Sequence, residues 1–270
     1  MTLGTMISLT NNVEEDLAQL KELGLSYCQL RGWDESLYTK EVADRVLKSI
    51  ETLGITITTF WCGWPGPQSW NFYEGPLTLG LAPVEFRYIR CETLKKGSDF
   101  AKMLDVDKIA THVGFIPENP NDPIYSGLLV TLKELVAYCR NNGQSFLFET
   151  GQETPVTLRR AIDDLGGEGV GINFDPANLL LYGKASPVDA LDVFGEYVMD
   201  VHAKDGSYPK DGHSLGEEKP LGEGLVNFPL MIEKLKKLGY DGPLTIEREV
   251  TGEQQRQDIL RAVEILKKLI

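Results

Sequence analysis

No two of the four cysteines stand in CxxC spacing; Cys28, Cys62, Cys91 and Cys139 are scattered through a chain too long to need covalent staples. They are expected as buried, reduced thiols. No apolar run reaches the roughly 18 residues of a membrane span, and the start, "MTLGTMISLTNN", lacks both a cationic region and a long apolar stretch. These absences lead us to expect a cytoplasmic protein that engages no membrane. Positive charge is short as well: 27 lysines and arginines face 40 acidic residues, a formal net charge of −13. That excess repels polyanions and argues against nucleic acid as a partner, although a few local cations can still hold a small phosphorylated substrate. Also missing is a glycine fingerprint after the first strand-like run, since "SLTNNVEED" contains no GxGxxG. An open dinucleotide-binding sheet would normally carry one.

What is present is a repeated unit. "KELG" (21–24), "ETLG" (51–54), "DDLG" (163–166) and "KKLG" (236–239) each end a helical pattern on glycine, the residue suited to a left-handed helix terminus, shortly before an apolar run. Val13, Leu17, Leu20 and Leu23 form an apolar stripe in the first helix, as do Ile259, Val263, Leu266 and Ile270 in the last. Strands are expected near 5–9, 26–31, 55–62, 108–114, 145–150, 169–175, 197–203 and 243–248. Eight alternating strand-helix units without a linker predict an α/β chain folded as a single (β/α)8 barrel over residues 1–270.

Polar residues recur at every second position near the ends of the later strands. "VMDVHAKDG" (198–206) puts Asp200, His202 and Lys204 on one face and Met199, Val201 and Ala203 on the other. "IATHVG" sets His112 against Ile109, Thr111 and Val113, while "SFLFET" sets Glu149 against Phe146 and Phe148. "VGINFD" sets Asn173 and Asp175 against Val170, Ile172 and Phe174, and "LTIERE" sets Glu247 against Leu244 and Ile246. The large apolar face suits the outer helices, so the polar face looks into the barrel, and barrel active sites lie at the C-terminal ends of the strands. His112, Glu149, Asp175, His202 and Glu247 are therefore expected to converge at one mouth. Buried carboxylates gathered there would repel one another, and a divalent cation is the simplest neutralising partner. Three carboxylates and an imidazole suit Mn²⁺ or Mg²⁺ and also accommodate Co²⁺ or Zn²⁺.

At these residues the sequence resembles the xylose isomerase-like barrels, the sugar phosphate isomerases and epimerases whose relatives include ketose 3-epimerases, inosose dehydratases and endonuclease IV. The likeness runs from "FWCGWPGPQSWNFYEGP" through "HVGF", "FETGQE", "NFDPAN" and "VHAKD" to "PLGEG" and "GYDGPLTIERE". It implies that Glu149, Asp175, His202 and Glu247 bind one divalent metal, and that Glu149 and Glu247 exchange a proton with a sugar or polyol substrate. It also implies a homodimer, by analogy alone. One position departs from the pattern: the epimerases usually carry histidine three residues after the strand-six aspartate, where this chain has Asn178.

The expected chemistry is isomerisation or epimerisation through an enediolate, with the carbonyl polarised by the metal. His112, Lys204 and Asn178 are candidate substrate contacts, Trp61 and Trp64 candidate stacking platforms, and Glu223 a further contact in the glycine-rich stretch "PKDGHSLGEEKPLGEG", which could close over the mouth. Glu249 and Asp205 fall beyond the strand ends and are expected in supporting or solvent-facing positions, and His213 in solvent. Taken singly, Glu149 reads equally well as a structural partner of Lys204, and the tryptophans as packing. An inosose dehydratase-like lyase and a non-catalytic sugar-binding barrel are the alternatives. With three histidines, one in a loop, the chain is a poor match for a trinuclear zinc nuclease.

Overall fold

Helix boundaries in the computed structural model, which describes residues 1–270, follow from capping chemistry. Thr39, Asp122, Thr154, Asp175, Ser186 and Asn227 each accept a hydrogen bond from a backbone N–H of the first turn, and Pro123, Pro155, Pro176 and Pro187 occupy the first helical position, where no N–H is needed. Each such cap is worth about 1 kcal/mol. The glycines of the four LG endings all have positive φ, between 61° and 90°.

Eight parallel strands close into a barrel: Thr2–Ser8, Tyr27–Gly32, Thr56–Cys62, Lys108–Thr111, Ser145–Glu149, Val170–Phe174, Val198–Ala203 and Pro243–Ile246. They are numbered one to eight below. Strand one pairs with both strand two and strand eight, which completes the ring. A helix follows each strand outside the ring, beginning with Val13–Glu22 and ending with Glu253–Leu266. Val13, Leu17 and Leu20 are buried as their spacing predicts, whereas Ile270 lies beyond the last helix and is 40% exposed. All four cysteines are buried and unpaired. No helix is long and apolar enough to cross a membrane.

The barrel interior is unusually polar for this architecture, in which branched aliphatics normally dominate. Gln29, Thr59, Asn173, Asp200, His202 and Thr245 are all fully buried. Two register shifts adjust this lining. Between strands two and three the pairing passes from Cys28↔Ile57 to Gln29↔Thr59, so the consecutive Thr58 and Thr59 hydroxyls both donate to Asp200 Oδ2, at 3.0 and 2.7 Å. Between strands six and seven it passes from Ile172↔Val198 to Asn173↔Asp200. Met199 is the extra residue, and it packs inward against Gly171 and Leu147 rather than outward with Val201.

Strands four and eight stop earlier than the sequence pattern suggests, at Thr111 and Ile246, so His112 and Glu247 extend from the strand ends into the mouth. The glycine-rich stretch is less free than its composition implies. Asp205, 2% exposed, accepts from the backbone N–H groups of Gly206, Gly222, Gly224 and Val226, and a short antiparallel ladder pairs Asp205–Gly206 with Glu218–Lys219. Asp205 thus ties down the base of the loop instead of facing solvent.

Candidate metal centre and active site

Each donor is placed by a strand end. Glu149 closes strand five, Asp175 follows strand six, His202 lies near the end of strand seven and Glu247 follows strand eight. One donor atom from each lies within 4.8 Å of all the others. The imidazole is central: His202 Nδ1 is 3.0 Å from Glu247 Oε2, 3.2 Å from Glu149 Oε1 and 3.7 Å from Asp175 Oδ2. At such separations, and at an effective dielectric near 20, each pair of ionised carboxylates costs about 3 kcal/mol. A cluster this buried therefore needs positive charge.

The orientation of the donors leaves room for a cation. Asp175 Oδ1 caps the helix Pro176–Leu181 by accepting from Asn178 N at 2.9 Å, which leaves Oδ2 buried without a hydrogen-bond partner. His202 Nε2 is 3.0 Å from Gln29 Oε1, and Gln29 Nε2 donates to Asn173 Oδ1 at 3.0 Å. Asn173 Nδ2 lies 3.0 Å from the same Nε2, so the far side of the ring is held from two directions and Nδ1 is left facing the cluster, where it too lacks a hydrogen-bond partner. Two orphaned buried atoms, three hard oxygen donors and the absence of sulfur fit a divalent cation of the Mn²⁺ or Mg²⁺ kind.

Without a cation, protons and Lys204 supply the balancing charge. Burial pushes Glu149 up, but His112 and His202 more than reverse this and hold it well below the usual carboxylate range. Burial likewise raises Glu247, and Lys204 and His202 overcome it, bringing the carboxyl down to about 2. Burial works against charge on His202, yet Glu247 and Glu149 hold it well above the ordinary imidazole value. Lys204 Nζ lies 3.1 Å from Glu249 Oε1, 3.4 Å from Glu247 Oε2 and 3.6 Å from Asp175 Oδ2.

A cavity of about 240 Å³ opens above the cluster, bordered by Glu149, Glu247, His112, Asn178, Lys204 and Trp61 among others. His112 Nε2 lies 3.3 Å from Glu149 Oε1, and Lys204 Nζ is 3.4 Å from Asn178 Oδ1. The Trp61 indole N–H donates to Glu149 Oε2, so this ring also fixes a carboxylate. Two sequence expectations fall elsewhere. Trp64 is 3% exposed, outside the lining, and packed among Trp33, Trp61 and Trp70. Glu223 turns to the surface and pairs with Arg261, because its loop is pinned through Asp205 and faces the last helix. His213 is exposed but not free: its ring stacks on Tyr73 and shares a hydrogen bond with the Tyr73 hydroxyl.

Several lining residues escaped the sequence reading: Arg31, Trp33, Trp70, Tyr182 and Leu215. Gln29 and Arg31 alternate in "YCQLRG" just as Asp200 and His202 do on strand seven, so the signal was present. Tyr182 caps the helix Pro176–Leu181 one turn after Asn178, whereas Trp33, Trp70 and Leu215 come from segments without periodicity.

Comparison with known proteins agrees with this geometry. The profile of the family described as xylose isomerase-like TIM barrel matches residues 17–269. The chain belongs to that family. A solved xylose isomerase domain protein from Planctomyces limnophilus is 33% identical, with a TM-score of 0.94 over 99% of this chain and 96% of its own. A D-tagatose 3-epimerase-like protein has the same fold at 22% identity and a TM-score of 0.76, covering 100% of this chain and 97% of that one. An uncharacterised protein of Methanocaldococcus jannaschii is 29% identical over 195 residues, which span 68% of this chain and 63% of that protein, less than two thirds of its length.

Proposed function

We propose that this family member is a divalent-metal-dependent isomerase or epimerase of a small sugar or polyol, with Glu149 and Glu247 as the proton-transferring pair. The observation that carries the reading is the convergence of Glu149, Asp175, His202 and Glu247 at the floor of a cavity, with two of their donor atoms buried and unspent. A cation held there by these four side chains would polarise a substrate carbonyl and stabilise negative charge on its oxygen. Glu149 and Glu247 approach the cavity from strands five and eight. One glutamate, entering as the carboxylate, accepts the proton from the carbon next to the carbonyl, leaving an enediolate, and the other, entering as the carboxylic acid, returns its proton to the opposite face, so that the pair ends the turnover with its protonation states exchanged. No atom is gained or lost. Trp61 and His112 hold Glu149 in position, while Lys204 and Asn178 border the space where substrate hydroxyls would lie.

The decisive experiment is metal analysis of the purified protein, followed by incubation of the metal-loaded form in D₂O with a panel of ketoses and inososes. Deuterium uptake next to the carbonyl, abolished by Glu149→Gln and by Glu247→Gln, is expected. Loss of water from an inosose without uptake into any ketose would replace this reading with the dehydratase one. Tight sugar binding with neither change would make the protein a binding module.

A further inference from the structure

We infer that the substrate is longer than the metal-side cavity, and that its extension is an uncharged polyhydroxylated group such as a second sugar ring. This rests on the sugar reading above. A second cavity of about 430 Å³ adjoins the first over the ends of strands one and eight, and the two have Arg31, Glu247 and Glu249 in common. Its wall is hydrophilic, with Ser8, Thr10, Asp16, Gln19, Thr251 and Gln255.

Arg31 stands on the boundary with donors to spare. Its Nη2 donates to Ser8 Oγ at 3.1 Å, its Nη1 is 4.0 Å from Glu247 Oε1 and so outside hydrogen-bond range, and its Nε is buried without a partner. The other arginine of this cavity is already committed: Arg248 binds Asp258 through Nε and Glu218 through Nη1, each at 2.7 Å. A phosphate group would therefore meet one open cation, Arg31, against the carboxylate of Asp16, with Lys204 already shared between Glu247 and Glu249, which disfavours a dianion. Sugar hydroxyls suit the same wall better, because each can donate to a carboxylate and accept from Arg31 or a side-chain amide. The reacting carbon would sit over the Glu149, Asp175, His202 and Glu247 side chains while the second ring lies beyond Arg31.

The test compares D-fructose, D-fructose 6-phosphate and isomaltulose, a ketose bearing glucose at the end remote from its carbonyl. For each, deuterium uptake in D₂O and calorimetric binding are both measured with the metal-loaded protein. The expected result is that isomaltulose exceeds both other sugars at least tenfold in kcat/KM and in affinity. Thr251→Trp, which fills the second cavity from an exposed loop, should bring the isomaltulose-to-fructose ratio close to one. Preference for fructose would show that the second cavity takes no part, and preference for fructose 6-phosphate would show that it holds an anion; either overturns the inference. Tighter isomaltulose binding without any uptake would retain the extended site and overturn the proton-transfer reading. Neither binding nor uptake with all three sugars would overturn both.

Discussion

Replacing Glu153 with glutamine should stabilise the protein progressively above about pH 4.5, with the full effect reached near pH 7. Glu153 follows strand five in the loop beside the site, is 3% exposed and has an Oε1 without a partner. Burial pushes its carboxyl from an ordinary 4.5 up to about 7, against the smaller opposing pull of its own backbone N–H and of His112. Between those two values the native state keeps a proton that the unfolded chain has released, so stability falls as pH rises through that window. Two and a half pH units at about 1.4 kcal/mol each make the deficit about 3 kcal/mol above pH 7. Glutamine preserves the shape and never ionises. Glu153→Gln should therefore match the parent near pH 4.5 and exceed it by about 3 kcal/mol at pH 8, which for a chain of this length raises Tm by about 5 °C. Thermal and urea denaturation of the chelator-treated proteins from pH 4.5 to 8 would measure the difference. An offset independent of pH, or a variant weaker than the parent at pH 8, would refute the reasoning.

Two further outcomes follow from the cluster. A divalent cation at a hundred times its Kd should add about 2.7 kcal/mol, close to 5 °C in Tm, and His202→Ala should abolish the shift. Because Glu247 and Glu149 keep the metal-free His202 protonated well above its ordinary range, loading must expel that proton. Affinity should then weaken as pH falls, with proton release visible by calorimetry in buffers of different ionisation enthalpy; binding without release would contradict the ligand assignment. Trp61→Phe removes the indole N–H from Glu149, a charge-assisted bond of about 1.5–3 kcal/mol. The acid limb of the kcat/KM profile should move up by about one to two pH units, and an unmoved limb would make Trp61 mere packing.

How far the sequence carried depends on what set each position. Apolar runs after helix-ending glycines located the eight barrel strands, and alternation, a local property, placed Glu149, Asp175, His202 and Glu247 on one side. The same local rule failed at Met199, because a bulge is a relation between two strands and leaves no mark in either alone. Glu223 was misread for a comparable reason: its direction is set by Asp205, whose four amide contacts come from residues up to 21 positions away. Trp70 and Leu215 reach the cavity from opposite flanks of the mouth, bridged where Tyr73 meets His213, and no single-segment pattern encodes that contact.

The polar column inside the barrel explains why strand seven bears three ionisable groups in alternation. Asp200 lies deepest, fully buried, and its carboxylate is solvated by hydroxyls: Thr58, Thr59 and Thr245 all donate to it. His202 comes next, its Nε2 fixed by Gln29, so that Nδ1 can face upward only into the carboxylates. Lys204 stands at the rim, where it meets the cavity and the outermost acids. Gln29 holds the imidazole from below and Lys204 meets the acids from the rim, so mutual repulsion among the three carboxylates is opposed from both sides. A purely aliphatic interior would pack as well but could not fix the imidazole, so on the function proposed above the polarity of this barrel serves the cation site rather than stability.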